Sequence, residues 1–259
     1  MIYSESEIVV LRTGGALLAN ILKELIVMVR PGVTTVALDD WARIRILELG
    51  GEPCFLGYTT SGAATPFPSA LCTSVNDEVV HAPAIPARTL QSGDIVGLDI
   101  GMRYPASDGL CTDMAVTVGV GKVSASAQRL MTVTQEALRR GIAVARAGKH
   151  IRDISHAIQS CVERAGFNVV RDLVGHGVGR AVHEPPEVPN YIVPGPIGDV
   201  ILESGLVIAI EPMVNAGRSN VTTRSDGWTV RTRDGSLSAH FEHTVVVTAD
   251  GVEILTQLS

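Results

Sequence analysis

Apolar side chains at Ile8, Leu11, Leu18, Ile21, Leu22 and Leu25 recur every three or four positions, the spacing of one buried helix face. Ser4 followed by Glu7 reads as a capping box opening that helix, and Pro31-Gly32 stops it. The pattern predicts a second helix from Thr34 or Thr35 to Gly50-Gly51, and two more over about 126–146 and 151–165. Short β-like runs occupy 94–100 and 113–118. From Leu206 onward the chain is strand-rich, with LVIAIEPMV, GWTVRT, HFEHTVVVT and GVEIL.

This order contains a weak repeat. Arg30-Pro31-Gly32 leads through a helical stretch to Gly50, and Arg146-Ala147-Gly148 leads through another to Gly166, both segments 21 residues long. Each is followed by strands that carry acidic residues, Asp99 and Asp113 in the first half, Glu211 and Glu242 in the second. Two such halves facing each other would bring four carboxylates to one central cleft. No linker or low-complexity segment divides the chain, so residues 1–259 are expected to form one domain of α/β or α+β class.

Composition narrows the function classes. Hydrophobic residues make up 46% of the chain, enough for a sizeable core. The formal charge of −6 argues against a non-specific grip on nucleic acid or anionic membrane, which needs a basic surface. MIYSESEIVV has no basic region of a secretory signal, and no run reaches the ~20 apolar residues that span a bilayer. The four cysteines, Cys54, Cys72, Cys111 and Cys161, lie far apart without a C-x-x-C pair and fit a reducing cytoplasm.

Chemistry is concentrated in acids that intrude on apolar strands. Asp99 sits among Ile95, Val96, Leu98 and Ile100, where a lone carboxylate costs several kcal/mol unless paired or bound to a cation. Asp113 heads the next β-like run and is expected to face Asp99 across a hairpin. Glu211 interrupts LVIAIEPMV, and Glu242 stands between Phe241 and His243 before TVVV. A strand-end Asp or an edge Glu explains any one of these, but not four. Crowded carboxylates repel, and a metal is the usual remedy. Oxygen ligands with one imidazole suit Mn, Fe, Co or Zn. The imidazole comes from GHGVGRAVHEPP, whose glycines suggest tight turns; there His176 or His183 is a ligand and the other meets substrate. His81, at the end of SVNDEVVHAP, is a third candidate.

Competing motifs fail. GHGVG is not followed by the helix a dinucleotide fingerprint needs, GVGVGKV lacks the Ser or Thr of a phosphate loop, and no G-x-S-x-G elbow occurs. Cys72 has no context that makes it a nucleophile with His81.

PFPSALCTSVNDEVVH, GDIVGLDIG, GHGVGRAVHEPPEVPNY, AIEPMVN and SDGWTVRTRDGSLSAHFEHTVVVT together resemble the type I methionine aminopeptidases of peptidase family M24, bacterial type without an N-terminal extension, nearly end to end. The resemblance implies a pita-bread α+β fold with pseudo-twofold related halves and a central antiparallel sheet. It implies two divalent metal ions: Asp99, Asp113 and Glu242 on one, and Asp113, His176, Glu211 and Glu242 on the other. A bridging hydroxide would attack the scissile carbonyl, Glu211 relaying the proton. His183 would meet the substrate carbonyl and His81 the scissile amide, while Tyr58, Cys72 and Trp228 would wall the methionine pocket. Partners would be nascent polypeptide N-termini starting with Met and a small residue, with transient ribosome contact; a cytoplasmic monomer is expected. The short stretch from His183 to Glu211 excludes the insertion of type II relatives.

Departures lie around the pocket. The loops at 59–71 and 102–109 are longer than usual, Asp108 is a decoy ligand beside Asp113, Ala82 replaces the customary Gly, and Val182 stands where an aromatic residue is common. Two alternatives stand beside this reading: a related M24 dipeptidase or Xaa-Pro aminopeptidase, and a non-catalytic pita-bread binding protein, which would be expected to lose ligands.

Overall fold

The computed structural model describes residues 1–60 and 65–258. Four helices run Glu5–Met28 (α1), Thr35–Glu48 (α2), Ala125–Val144 (α3) and Ile151–Arg164 (α4), close to the expected spans. At the start of α1 the Ser4 hydroxyl accepts from the Glu7 N–H while the Glu7 carboxylate accepts from the Ser4 N–H. Such a reciprocal cap stabilises a helix by ~1 kcal/mol.

The repeat is visible in space. Each long helix precedes a 14-residue helix, α2 or α4. Both short helices end at a glycine with φ 79°, Gly50 and Gly166, a conformation that ends a helix without a Cβ penalty. Each is then followed by a two-residue strand, Glu52–Pro53 or Asn168–Val169.

A nine-stranded antiparallel sheet forms the centre. Strands Ile95–Tyr104, Leu110–Gly119, Glu242–Val247 and Val207–Ile210 lie side by side in that order, flanked by Leu71–Val75 and Gly175–Gly177. Alternation sorts the side chains. Leu98, Ile100, Met102, Met114 and Val116 join Leu18, Leu22, Leu25, Leu38 and Ile46 of α1 and α2 in the principal core. The intervening positions 99, 101, 113 and 115 face the other way.

Four expectations about strands are corrected. Asp113 does not head its strand, which begins at Leu110, and Met102, Arg103 and Tyr104 belong to the preceding strand rather than to a loop. The ladder continues because Met102, Arg103 and Tyr104 pair with Thr112, Cys111 and Leu110, leaving only positions 105–109 to turn. LVIAIEPMV is two strands: Val207–Ile210 in the central sheet and Met213–Asn215 in a three-stranded sheet. HFEHTVVVT likewise divides between Ser238–His240 and Glu242–Val247. Pro212 has no N–H for the ladder, so pairing breaks there, and both chains change sheet at the same level. Of the long loop at 59–71, residues 61–64 lie outside the described residues. Among the described residues, no helix is long and apolar enough to cross a membrane.

Candidate metal centre

Strand register gathers the acids. Cys72 pairs with Asp99, Asp99 with Ala115, and Ala115 with Glu242, forming one row across four strands. Glu211 extends that row, because the preceding Ile210 pairs with His243. Asp113 stands one step along, opposite Gly101, so it meets Asp99 diagonally rather than directly. The small Ala115 leaves space between the carboxylates.

The change of sheet places Glu211 and Glu242 at the bend itself, where their side chains enter the cleft. Side-chain hydroxyls stitch the backbone around it. Thr244 accepts from the Asp113 N–H at 2.9 Å and donates to its carbonyl at 2.7 Å. Thr117 does the same for His240, both at 2.9 Å. Asn190 donates to the Glu211 carbonyl at 3.0 Å.

His176 lies inside the short strand Gly175–Gly177, not in a glycine turn. The glycines serve close approach instead. A Cβ at Gly175 would stand 2.5 Å from the Ala209 carbonyl, and one at Gly177 would strike the Pro185 carbonyl. The His176 Nδ1 is 3.0 Å from the Gly177 carbonyl, which can only accept. The proton therefore sits on Nδ1, and the Nε2 lone pair points into the cluster, 3.3 Å from Glu211 Oε1.

Every candidate ligand, catalytic and pocket residue from the sequence lines one cavity of about 360 Å³. Asp99, Asp113, His176, Glu211 and Glu242 form its floor. Two overlapping sets, Asp99/Asp113/Glu242 and His176/Glu211/Glu242, bring their ligand atoms within 4.8 Å of one another. His183 also approaches Asp113 and His176 within that distance, its ring 4.4 Å from that of His176. His81 closes its strand with φ 58°, a sparsely populated backbone that turns the ring to the cavity. Tyr58, Cys72 and Trp228 cluster with Phe55, Phe67 and Val182 as an apolar wall. Asp108 sits in an exposed turn, away from the cluster.

Three residues of this region were missed in the sequence. Phe67 lies 5.3 Å from Trp228 and 6.5 Å from Phe55, edge-on in both cases. Its position between Pro66 and Pro68 in the long loop was the available signal. Phe55 was masked by ordinary loop surroundings. His240 is buried, with Nε2 3.2 Å from Glu211 Oε2 and 4.0 Å from Glu242 Oε2. It reads as one more position of an apolar segment until the bend at Phe241 is known.

The electrostatics favour a cation. Burial raises Asp99 to about 6, with Glu211 adding repulsion. Burial, then neighbouring acids, pushes Asp113 and Glu242 well above the usual carboxylate range. Burial would also raise Glu211, but His240 and then His176 overrule it and hold it low. Asp113 Oδ1 and Glu242 Oε1 are buried without a hydrogen-bond partner. Unpaired buried carboxylate oxygens beside an imidazole fit a divalent metal, which supplies the missing positive charge.

A curled antiparallel sheet with a buried acid–imidazole cluster beside an apolar cavity defines a metallopeptidase. The model of metallopeptidase family M24 matches residues 10–249, and the chain belongs to that family. Within it, the chain is similar to methionine aminopeptidases. It is 46% identical to that of Clostridium perfringens over 254 residues, covering 98% of this chain and 97% of the relative. It is 43% identical to that of Aquifex aeolicus over 257 residues, covering 99% and 98%. The crystal structure of methionine aminopeptidase from Thermotoga maritima superposes with a TM-score of 0.92 at 41% identity, covering 99% of both chains.

Proposed function

We propose that this chain is a metal-dependent aminopeptidase that removes the N-terminal methionine of proteins and peptides, preferring a small second residue. The observation that carries the reading is the carboxylate row with His176 on the floor of an apolar-walled cavity, in a chain alike over its full length to methionine aminopeptidases. Two divalent ions would be held here, one by Asp99, Asp113 and Glu242 and the other by His176, Glu211 and Glu242 together with Asp113. The sets Asp99/Asp113/Glu242 and His176/Glu211/Glu242, each with ligand atoms within 4.8 Å of one another, support this. When bound, these ions supply Lewis acidity and lower the pKa of a water.

The chain's own groups do the rest. Glu211 accepts a proton and returns it to the departing amine, with His240 Nε2 3.2 Å from its Oε2. His183 is steadied by the Tyr58 hydroxyl, 2.9 Å from Nδ1. With the phenol donating there, Nε2 keeps its proton and faces the scissile carbonyl. Desolvation in the cleft, then the neighbouring His176, lowers His183 to about 4, so this donor is neutral at working pH. His81, also lowered to about 4 by burial and then His183, stands near the scissile amide. Phe55, Phe67, Cys72 and Trp228 exclude water around the methionine side chain. Substrates are nascent chains, met in the cytoplasm as they leave the ribosome, and the enzyme acts as a monomer of one catalytic domain.

The test is release of Met from Met-Ala-Ser by metal-stripped protein with Mn²⁺, Co²⁺, Fe²⁺ or Zn²⁺ restored, beside Glu211→Ala. Metal-dependent release that Glu211→Ala abolishes supports the reading. No release with any metal, from folded protein that binds metal, overturns it. Met-Pro, Ala-Pro and Leu-Ala peptides in the same assay separate it from an Xaa-Pro or general dipeptidase.

A further inference from the structure

Two cysteines outside the cavity meet in space. Cys54 and Cys111 are 57 positions apart, yet their sulfurs lie 2.9 Å from each other, while all four cysteines are free thiols. The backbone explains the meeting. Cys54 leaves strand Glu52–Pro53 with its N–H donating to the Gly101 carbonyl at 3.0 Å. Cys111 pairs with Arg103, one step along the same sheet face. Between them stands Gly101, where a Cβ would lie 3.2 Å from the Cys54 Cβ and 2.9 Å from the Phe55 ring. With no side chain there, the Cys54 thiol leans across the strand toward Cys111.

We propose that Cys54 and Cys111 form a reversible modification site that a peroxide closes to a disulfide. This inference is independent of the aminopeptidase reading. Cys54 is partly exposed and Cys111 is buried, so the oxidant reaches Cys54 first. The Cys54 sulfur takes one oxygen from hydrogen peroxide, giving a sulfenic acid and one water. The Cys111 sulfur then bonds to the Cys54 sulfur. The sulfenic S–O bond breaks, and the hydroxyl leaves with the Cys111 proton as a second water. Two thiols are oxidised by two electrons and the peroxide is reduced by two. Closing to the ~2.05 Å of a disulfide bond requires less than an ångström of movement, and a thiol reductant reverses it.

The position gives the bond a consequence. Cys54 adjoins Phe55 of the apolar wall, and Cys111 shares strand and face with Asp113, two residues on. Oxidation therefore tethers the wall to the strand that carries an acid of the metal cluster. Among the described residues, Cys72 and Cys161 have no thiol within hydrogen-bond distance and serve as internal references.

The experiment treats the purified full chain with a slight excess of hydrogen peroxide, reads its intact mass, then alkylates free thiols and maps the peptides. The expected result is a loss of about 2 Da, one cross-linked Cys54–Cys111 peptide, Cys72 and Cys161 still alkylated, and full recovery with dithiothreitol. Cys111→Ser should instead accumulate a Cys54 sulfenic acid that dimedone traps, because its resolving partner is gone. Four equally alkylated cysteines after peroxide would overturn the proposal. So would oxidation of Cys54 to sulfinic acid in the unaltered chain without a cross-link.

Discussion

His240 Nε2 stands 3.2 Å from Glu211 Oε2, while the other oxygen of the same carboxylate lies 3.3 Å from His176 Nε2. His240 therefore pairs with one end of Glu211, while the other end faces the His176 lone pair, an approach that a shared cation would stabilise. Burial alone would hold His240 neutral, but Glu211, with Asp99 adding, raises its pKa above the ordinary histidine value. His240 orients Glu211 from behind, on a backbone fixed by Thr117.

The consequence is a prediction for His240→Ala and His240→Gln. Loss of an outer partner of a metal-ligating group costs roughly 10–100-fold in activity or metal affinity. His240→Ala should lower kcat within that range with little change in KM, and His240→Gln, which restores an N–H donor, should recover most of it. Equal losses in both variants would mean that His240 acts only by filling space.

Tyr58→Phe removes the hydroxyl beside His183 Nδ1 and leaves the ring against Trp228, 6.4 Å away. A hydrogen bond of this kind contributes ~1 kcal/mol, so kcat/KM should fall about threefold to tenfold while the melting temperature is unchanged. The ¹⁵N shifts of His183 should move from the Nε2–H tautomer toward a mixture. An unchanged tautomer with unchanged kinetics would remove Tyr58 from the mechanism.

Metal and pH should act together on stability. Asp99, raised to about 6, and Asp113 and Glu242, also raised well above the usual carboxylate range, hold protons in the metal-free folded state that the unfolded chain has lost. Their contribution is complete below the unfolded carboxyl values near 4 and is lost as pH rises through the folded values. His81, His183 and His243, each lowered to about 4 by burial, work in the opposite sense: their contribution is present above about 6.5 and fades as pH falls from there. Between pH 6.5 and 8.5 the carboxylates dominate. Metal-free protein should melt lower as pH rises over that range, and added Mn²⁺ should raise the melting temperature more at 8.5 than at 6.5. Calorimetry at both pH values checks this, and a metal effect equal at both would contradict it.

Gly177→Ala places a methyl group into the Pro185 carbonyl and within 2.8 Å of the Glu184 carbonyl. Backbone cannot yield as a flexible side chain does, so the strand carrying His176 must shift. The variant should lose ~1–3 kcal/mol of stability in urea titration, as overpacked sites do. Its metal affinity should fall as well. Wild-type metal affinity in Gly177→Ala would show that the strand tolerates the shift.

Much of this protein was legible in its sequence because the signals are local. The capping box at Ser4 and Glu7, the apolar stripe to Leu25 and the glycines at 50 and 166 set helices through contacts within a turn or two. The cost of burying Asp99, Asp113, Glu211 and Glu242 in apolar runs is also local, so their chemistry was readable before any contact was known. What only the tertiary structure decided depends on pairing between distant segments. Register put Asp113 diagonal to Asp99, the break at Pro212 and Phe241 turned two apparent strands into four, and the same bend brought His240 against Glu211. Phe67 reached the wall, and Cys54 reached Cys111, across strands whose adjacency the sequence does not encode. Periodicity reports which face a residue occupies, whereas its neighbour is set by strand order and by the packing of the whole sheet.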